Sequence, residues 1–557
     1  MFRTSILVFS LMLWGIQCGP NPMEKRMQTF IQSYVEQVQP LQTQAALAYW
    51  EAATTGDAAK YDEYSDLQLQ LKTLHSNTEL FSQVKAFKQQ AVEADPLLKR
   101  QLNVIYNAFL PNQVDSTLLE NMVRLSSEVE KKFSTFRAEM DGETVTNNDI
   151  ETILKTETNS KKRQQAWLAS KQVGPVVAQD IIRLAQLRNQ SAQNLGFPNY
   201  HTMSLAASEQ NVEDIDRIFE ELKRLTDEPF RQLKAELDAI LADMYGVGVQ
   251  GLMPWHYHDP FFQESPQVYE INLDQYYQDK DVVELAEQFF ESINLPVSSI
   301  LENSDLYERE GKNPHAFCTD IDRQGDVRIL CNVKNNERWM ETMLHELGHA
   351  VYDTYMTMDT PYLLREPAHA FTTEGIAMFF GRLSRNAHWM QDMLELSETE
   401  RNQIAAVADK YMQLKQLIFA RWAMVMYQFE KALYENPDQD LNATWWQLVK
   451  EYQYVNKPPE RDEPDWAAKI HVALYPVYYH NYLLGELFAS QLQHHITREV
   501  LSVEAGANPS YVNEARVGQF LRERVFEPGA TRPWNDMIEQ ATGEPLNPQY
   551  FVEQFVH

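Results

Sequence analysis

Hydrophobic residues recur at helical spacing along most of the chain. In residues 212–225, VEDIDRIFEELKRL, the apolar positions are Ile215, Ile218, Phe219, Leu222 and Leu225. Intervals of three and four residues place these side chains on one face of an α-helix, against a core. Comparable stretches follow one another from residue 24 to about residue 245, and strand-like runs are scarce. The pattern predicts a mainly α fold.

Glycine and proline interrupt the helical pattern at residues 246–270, which include the loop sequence PWHYHDPFF. His256 and His258 in this loop can ligate a metal, but loop histidines beside tryptophan are more often hydrogen-bonded structural residues. A short strand pair is predicted at residues 315–332, directly before the next helix. With no internal repeat, low-complexity tract or flexible linker, residues 24–557 are predicted to form one domain.

The helix that follows contains the sequence His345-Glu-Leu-Gly-His349. One helical turn separates the two histidines, so both imidazoles can bind one ion, with Glu346 beside them as a base. A solvated polar face is the alternative, but apolar residues surround the segment and predict a buried helix: Trp339, Met340, Met343, Leu344, Leu347, Ala350 and Val351. Buried polar groups need partners. A zinc ion would give a partner to His345, Glu346 and His349 at once, so a zinc site is predicted.

Hydrolytic zinc sites use three protein ligands and keep a fourth position open. Glu374, in the apolar stretch TTEGIAMFF, is the predicted third ligand. Its alternative role is that of a helix-start glutamate favoured by the helix dipole, with Thr372 or Thr373 as the cap. Glu366, in a predicted loop before Pro367, is the rival ligand.

A second group of polar residues lies in WAAKIHVALYPVYYHNYLLGEL, residues 466–487. Its members are Lys469, His471, Tyr475, Tyr479 and Tyr482. A zinc peptidase needs donors for the oxyanion that forms when water attacks the scissile carbonyl, and tyrosine and histidine suit that task. Lysine can hold a substrate carboxylate. The alternative is an amphipathic aromatic helix with tyrosines at its rim.

Charge and the N-terminal sequence limit the partners and the location. A formal net charge of −30 argues against binding to nucleic acid or to anionic membranes. Arg3 followed by the apolar run from Ile6 to Ile16 predicts a secretory signal at residues 1–17. Cys18 is then a predicted lipidation site of a periplasmic or membrane-anchored bacterial lipoprotein. Gln17 is atypical before such a cysteine, and an ordinary cleaved signal is the alternative.

These residues together resemble a bacterial member of the angiotensin-converting-enzyme family, zinc peptidyl-dipeptidases of the gluzincin type. The similarity runs from the N-terminal helices to TRPWNDMIEQATGEPL at residues 531–546. HELGHAVY resembles the family's zinc helix, and LREPAHAFTTEG matches its third-ligand segment. The resemblance implies a helical ellipsoid of two halves with a deep central cleft, Zn²⁺ as cofactor, oligopeptides as substrates, and release of C-terminal dipeptides.

The resemblance also implies roles for individual residues. The backbone of His315 and Ala316 stands where the family pairs with the peptide, and AKIH at residues 468–471 matches the segment of the carboxylate-binding lysine and a substrate-binding histidine. With one residue inserted after His471, Tyr482 is the oxyanion donor and Tyr479 a carboxylate contact. Glu374 takes the place of the third zinc ligand.

Several positions depart from the family pattern. Pro314 and Asn332 stand where the family has a cysteine pair, and Cys318 instead takes a place on the substrate-facing edge. Cys318 and Cys331 can pair in an oxidising compartment, although their spacing alone does not establish a disulfide. Met378 replaces an aspartate near the zinc, so the groups that support the ligands must differ.

Two other departures concern chloride. Asn481 and Val449 replace arginines that bind chloride in animal relatives, so chloride is predicted not to activate this chain.

Two alternative functions remain. A thimet-like oligoendopeptidase shares the zinc helix and a tyrosine-rich segment, and it would cleave peptides with blocked C-termini equally well. A non-enzymatic lipoprotein that binds peptide or zinc would lack catalytic groups.

Overall fold

The computed structural model describes residues 22–269, 272–504 and 508–556. The predicted signal at residues 1–17 and the predicted lipidation site Cys18 lie outside these ranges. Within them, no helix combines the length and the apolar character that a membrane crossing requires.

The first part of the chain is a run of helices whose starts are set by short polar side chains. Asp57, Asn77, Asp95 and Asp115 each accept hydrogen bonds from the first free backbone N–H groups of the helix that follows. These helices are α1 (Pro22–Thr55), α2 (Ala58–His75), α3 (Thr78–Gln90), α4 (Pro96–Phe109), α5 (Ser116–Thr135), α6 (Asn147–Thr156), α7 (Ser160–Lys171), α8 (Val173–Asn194), α9 (Tyr200–Ala207) and α10 (Val212–Tyr245).

A two-stranded antiparallel sheet that the apolar pattern did not predict lies between α5 and α6. Strands β1 (Ala138–Met140) and β2 (Glu143–Val145) are joined by Asp141 and Gly142, both with positive φ. An Asp-Gly pair at such a turn is a hairpin signal that the sequence does contain. The strands are short and mostly polar, so alternation gave no second indication.

The middle of the chain carries the predicted strand pair and the helix with the two histidines. Strands β3 (Phe317–Asp320) and β4 (Val327–Leu330) pair antiparallel, with Cys318 opposite Ile329, and confirm the pair expected at residues 315–332. The helices here are α11 (Asp274–Tyr277), α12 (Val282–Ser292), α13 (Ser298–Glu302), α14 (Glu337–Thr354), α15 (Ala370–Gly381) and α16 (Ala387–Leu394).

The last part of the chain is again helical, and the architecture as a whole is mainly α, as predicted. The helices are α17 (Glu398–Glu435), α18 (Leu441–Gln453), α19 (Ile470–Leu474), α20 (His480–His495), α21 (Ala515–Leu521), α22 (Trp534–Thr542) and α23 (Gln549–Phe555). One extensive apolar core takes in residues from Val129 to Phe555, including the apolar faces of α14, α15, α17 and α20.

Helices α1–α4 bury a second, smaller core of their own, to which Leu363 also contributes. A third apolar cluster connects the end of α1 to the sheet of β3 and β4 through Trp50, Ala53, Ile321 and Leu330. The end of α1 therefore packs against the strand pair that precedes α14.

Candidate active site

Helix α14 presents the two predicted metal-binding histidines on one face. Asn336 caps its start by accepting a hydrogen bond from Trp339 N–H. Six of the seven apolar residues named for this helix are fully buried, and Trp339 is only partly buried. The fully buried ones are Met340, Met343, Leu344, Leu347, Ala350 and Val351. The rings of His345 and His349 are 4.9 Å apart and nearly perpendicular. Both side chains keep partial exposure, which leaves one side open to approach.

Glu374 of α15 faces the two imidazoles. Its Oε2 lies 3.8 Å from His345 Nε2 and 3.9 Å from His349 Nε2, and the ligand atoms all lie within 4.8 Å of one another. Glu366, the rival ligand, instead forms an ion pair with Arg323 and is half-exposed. The N-cap of α15 is His369, whose side chain accepts the Phe371 N–H, and Thr372 takes part by accepting the His369 N–H.

The donor set fits zinc. Two imidazole nitrogens and one carboxylate oxygen are a hydrolytic ligand set that leaves a fourth position free. Burial lowers the pKa of His345 and takes the pKa of His349 well below its usual value, so both rings are neutral, as metal ligation requires. The structure thus brings together the three residues that the sequence selected.

Close backbone approach fixes these ligands relative to one another. A Cβ on Gly348 would lie 2.8 Å from Ala377 Cα, so α14 and α15 touch between the ligands. A Cβ on Gly375, beside Glu374, would lie 2.7 Å from the Phe488 ring and 3.0 Å from the Gly485 carbonyl of α20. Only glycine permits contacts this short.

Thr373 supports His349. His349 Nδ1 lies 2.7 Å from Thr373 Oγ1, and donation from that nitrogen leaves Nε2 free for a metal. Met378 has no hydrogen-bonding side chain for such a role. Thr373, which the sequence suggested only as a cap, is therefore the residue that orients His349.

The predicted base, Glu346, is buried next to the ligand cluster. Burial and the nearby Glu374 carboxylate raise the pKa of Glu346 to about 8. Burial and Glu486 raise the pKa of Glu374 to about 7. A divalent cation between these groups opposes both shifts because it stabilises the ionised carboxylates.

The predicted oxyanion donors line the same region. The Tyr482 ring is 5.4 Å from that of Tyr479. Burial is the larger cause that raises the pKa of Tyr482, and the Glu374 carboxylate raises it further. Tyr479 in turn lies 5.1 Å from His471. His471 Nδ1 is buried and has no hydrogen-bond partner in the described part of the chain. Burial and Lys469 lower the pKa of His471 to about 4, so the ring is neutral and can donate one hydrogen bond.

Lys469 lies in an aromatic pocket. Its ammonium is 5.3–5.5 Å from the ring centres of Phe261, Trp422 and Tyr479, and it donates to Gln263 Oε1 at 2.6 Å. No carboxylate among residues 22–269, 272–504 and 508–556 forms an ion pair with it. Trp422 Nε1 donates to Tyr479 Oη at 2.8 Å. Gln263, which sequence reasoning missed, completes a pocket that suits a terminal carboxylate.

The remaining predicted substrate contacts lie at the edge of this region. His315 is exposed, its N–H bonded to Asn313 Oδ1 at 2.9 Å, and Ala316 leads directly into β3. Tyr475 is 56% exposed, with its ring 5.4 Å from that of His471. Their roles in substrate binding stay predictions.

Cys318 and Cys331 are free thiols. Cys318 faces Ile329 across the strand pair, which leaves Cys331 diagonal to it rather than opposite. The Cys318 thiol lies 4.0 Å from Asp353 Oδ2.

The loop histidines are structural, as favoured from the sequence. His256 Nε2 bonds Ser160 Oγ at 2.7 Å and His258 Nε2 bonds Tyr245 Oη at 2.7 Å.

Asn481 and Val449, the two positions named for the absence of a chloride-binding arginine, have different surroundings. Asn481 Oδ1 accepts from Gln210, whose own Oε1 bonds the buried His480 ring at 2.8 Å. Val449 lies in a small cavity with Lys171 and Asp465.

The Asp465 carboxylate already serves as the anion of that cavity. It pairs with Arg461 at 2.5 Å and accepts from Trp446 Nε1 at 3.2 Å. Its charge also favours the protonated form of Lys171, whose pKa burial lowers to about 7. Lys450, the other basic residue near Val449, is exposed.

Two imidazoles, a carboxylate from a second helix and an adjacent buried glutamate define a gluzincin-type metal centre in a mainly α protein. The sequence profile of the angiotensin-converting-enzyme family matches residues 21–555. The chain belongs to that family.

The relatives found are distant in sequence, and each alignment covers only part of this chain and part of the relative. An angiotensin-converting enzyme of Haematobia irritans exigua is 23% identical over 71% of this chain and 70% of its own length. Carboxypeptidase 1 of Bacillus subtilis is 25% identical over 43% of this chain, which spans 51% of that relative. An inactive angiotensin-converting-enzyme-related protein of Caenorhabditis elegans is 20% identical over 73% of this chain and 49% of its own length.

Proposed function

We propose that this chain is a zinc-dependent peptidyl-dipeptidase that releases dipeptides from the free C-terminus of oligopeptides. The observation that carries the proposal is the Lys469 pocket. A buried ammonium with no ion-pair partner in the described ranges, held by Gln263 and beside Tyr479, suits a peptide's terminal carboxylate. It lies on the same segment as His471 and Tyr482, and Tyr482 is close enough to the ligand Glu374 for that carboxylate to raise the pKa of the tyrosine in addition to burial, the larger cause.

His345, His349 and Glu374 would hold zinc, which would act as a Lewis acid that polarises the scissile carbonyl and lowers the pKa of water. The chain's own residues then carry the protons. Glu346 takes a proton from the attacking water and delivers it to the departing amine nitrogen as the C–N bond breaks.

Tyr482 Oη and neutral His471 donate hydrogen bonds to the carbonyl oxygen as negative charge develops on it. At the other end of the released dipeptide, Lys469 and Tyr479 hold the carboxylate. The distance between the two groups of donors then sets the length of the product.

Mass spectrometry of the products of one free-acid and one amidated decapeptide tests the proposal. Removal of two residues at a time from the free acid, with the amide spared, supports it. Equal cleavage of both peptides supports the oligoendopeptidase instead. Binding without cleavage by zinc-loaded protein supports the non-enzymatic alternative.

We further propose export and a lipid anchor at Cys18, supported by the charged and apolar pattern of residues 1–17. Membrane fractionation and mass spectrometry of the mature N-terminus test this. A diacylated N-terminal Cys18 that is lost in Cys18→Ala supports the anchor, whereas a soluble periplasmic form with a free N-terminus supports an ordinary cleaved signal.

A further inference from the structure

The turn between His471 and Tyr482 is strained. Helix α19, which carries His471, ends at Leu474, and α20, which carries Tyr482, begins at His480. The intervening residues form a tight connection between these two predicted oxyanion donors. Val477 within it has φ = +55°. A β-branched residue rarely adopts this left-handed conformation, and it persists only where surrounding structure enforces it.

Two ionisable side chains from other helices hold the backbone at two points, one just before the turn and one inside it. Glu430 of α17 accepts the Val477 N–H at 2.8 Å. Arg188 of α8 donates to the Ala473 carbonyl at 2.8 Å and to Tyr434 Oη at 3.1 Å. Together these bonds fix the backbone immediately before and inside the strained turn.

Both side chains are costly to bury. Glu430 is 2% exposed and Arg188 9% exposed. Burial raises the pKa of Glu430 to about 8, against the Val477 hydrogen bond and the Arg188 charge, which lower it. An apolar residue would fill this core position on α17 at less cost. What requires an oxygen acceptor there is the Val477 N–H, which faces the core outside any helix or strand.

We propose that Glu430 is a positioning residue that, with Arg188, enforces the strained turn and thereby places His471 and Tyr482 for the reaction. The inference rests on the proposed function for its kinetic consequence. Val477 lies five residues before Tyr482 and six after His471, so relaxation of the turn moves both donors. The metal ligands lie on α14 and α15 and stay in place.

Steady-state kinetics of zinc-loaded variants on a free-acid peptide test the role. Glu430→Leu is expected to lower kcat by about 10- to 100-fold, the scale for a donor displaced by about 1 Å, with KM changed less than about threefold. Glu430→Gln keeps an acceptor oxygen of the same reach and should retain kcat within about threefold. Glu435→Leu, at the exposed end of the same helix, is the matched control and should match the wild type.

A double-mutant cycle separates positioning from general stability. Glycine adopts positive φ without strain, so in a Val477→Gly background the Glu430→Leu loss in kcat should shrink to less than about threefold. Equal losses in both backgrounds overturn the proposal, as does full kcat in Glu430→Leu. If Glu430→Leu fails to fold, the kcat of Glu430→Gln and Glu430→Asp decides, because only the longer side chain restores the bond.

Crystal structures provide a readout independent of turnover. In Glu430→Leu the turn is expected to leave the left-handed conformation and Tyr482 Oη to shift, with the zinc ligands unchanged. An unchanged turn overturns the inference even if the wild type is active. Absence of cleavage by the wild type overturns the proposed function instead, and the crystal structures then decide the positioning role alone.

Discussion

Replacing Lys469 by methionine removes the charge of the carboxylate pocket and nearly keeps its volume. Burial lowers the pKa of Lys469 from 10.5 to about 8, which corresponds to a desolvation cost of roughly 3 kcal/mol for the charged form of this lysine. A substrate carboxylate recovers part of this cost through a charge-assisted hydrogen bond of about 1.5–3 kcal/mol. Loss of that bond corresponds to roughly a 10- to 150-fold loss in kcat/KM for free-acid peptides.

The pKa of Lys469 also predicts a pH dependence. The carboxylate binds the protonated form, and the free enzyme loses that proton as pH rises through about 8. The ratio of kcat/KM for free-acid and amidated peptides should therefore be flat between about pH 6.5 and 7.5, then fall by up to tenfold per pH unit above about 8. Taking the ratio cancels ionisations at the metal centre that both peptides share.

The assay compares matched free-acid and amidated peptides across this pH range, with Lys450→Met as the control at an exposed lysine. In Lys469→Met the ratio should approach one and lose its pH dependence. An equal fall for both peptides, or a fall below about threefold for the free acid, would show that Lys469 does not bind the terminal carboxylate.

Three further predictions concern the same centre. Glu346→Gln should keep stoichiometric zinc by elemental analysis and lose almost all turnover; retained turnover would remove Glu346 as the base. Tyr482→Phe should lower kcat by about 10²–10³ with little change in KM in steady-state assays, as for loss of one oxyanion donor, and an unchanged kcat would move the role to Tyr479 or Tyr475. Chloride titrated against acetate at constant ionic strength should leave kcat/KM unchanged, because Asp465 occupies the cationic cavity and Asn481 and Val449 supply no charge; a several-fold saturable rise would refute this.

The metal centre was predictable because its information is local. His345, Glu346 and His349 lie within one helical turn and a half, so helix geometry alone brings them near each other. Glu374 lies in the next apolar segment, which made it the natural third ligand, and the packing of α15 on α14 brings it to the histidines. The strand pair before α14 was predictable for the same reason.

Gln263, Glu430 and Val477 were not predictable from periodicity. Gln263 meets Lys469 across 206 positions of the chain, and Glu430 meets Val477 across 47. A buried glutamate on a helix shows no pattern that distinguishes it from a solvated one. The positive φ of a valine has no sequence signal either, since tertiary contacts impose it against local preference.

The separate core of helices α1–α4 bears on how these helices are attached to the rest of the chain. Tyr49 and Trp50 of α1 meet Phe317 of β3, with ring centres 5.2 and 6.1 Å apart. Helix α1 thus contacts the strand pair before α14, while α1–α4 bury their apolar faces mostly among themselves.

Helices α1–α4 keep most of their buried apolar area within their own core, and they attach to the remaining chain through the small cluster of Trp50, Ile321 and Leu330 and through polar contacts of Arg100 with Glu209 and the Ala530 carbonyl. A cavity-forming substitution inside that small core is therefore expected to loosen these helices locally and to leave the ligands held by α14 and α15 in place, because stability is not uniform across a structure.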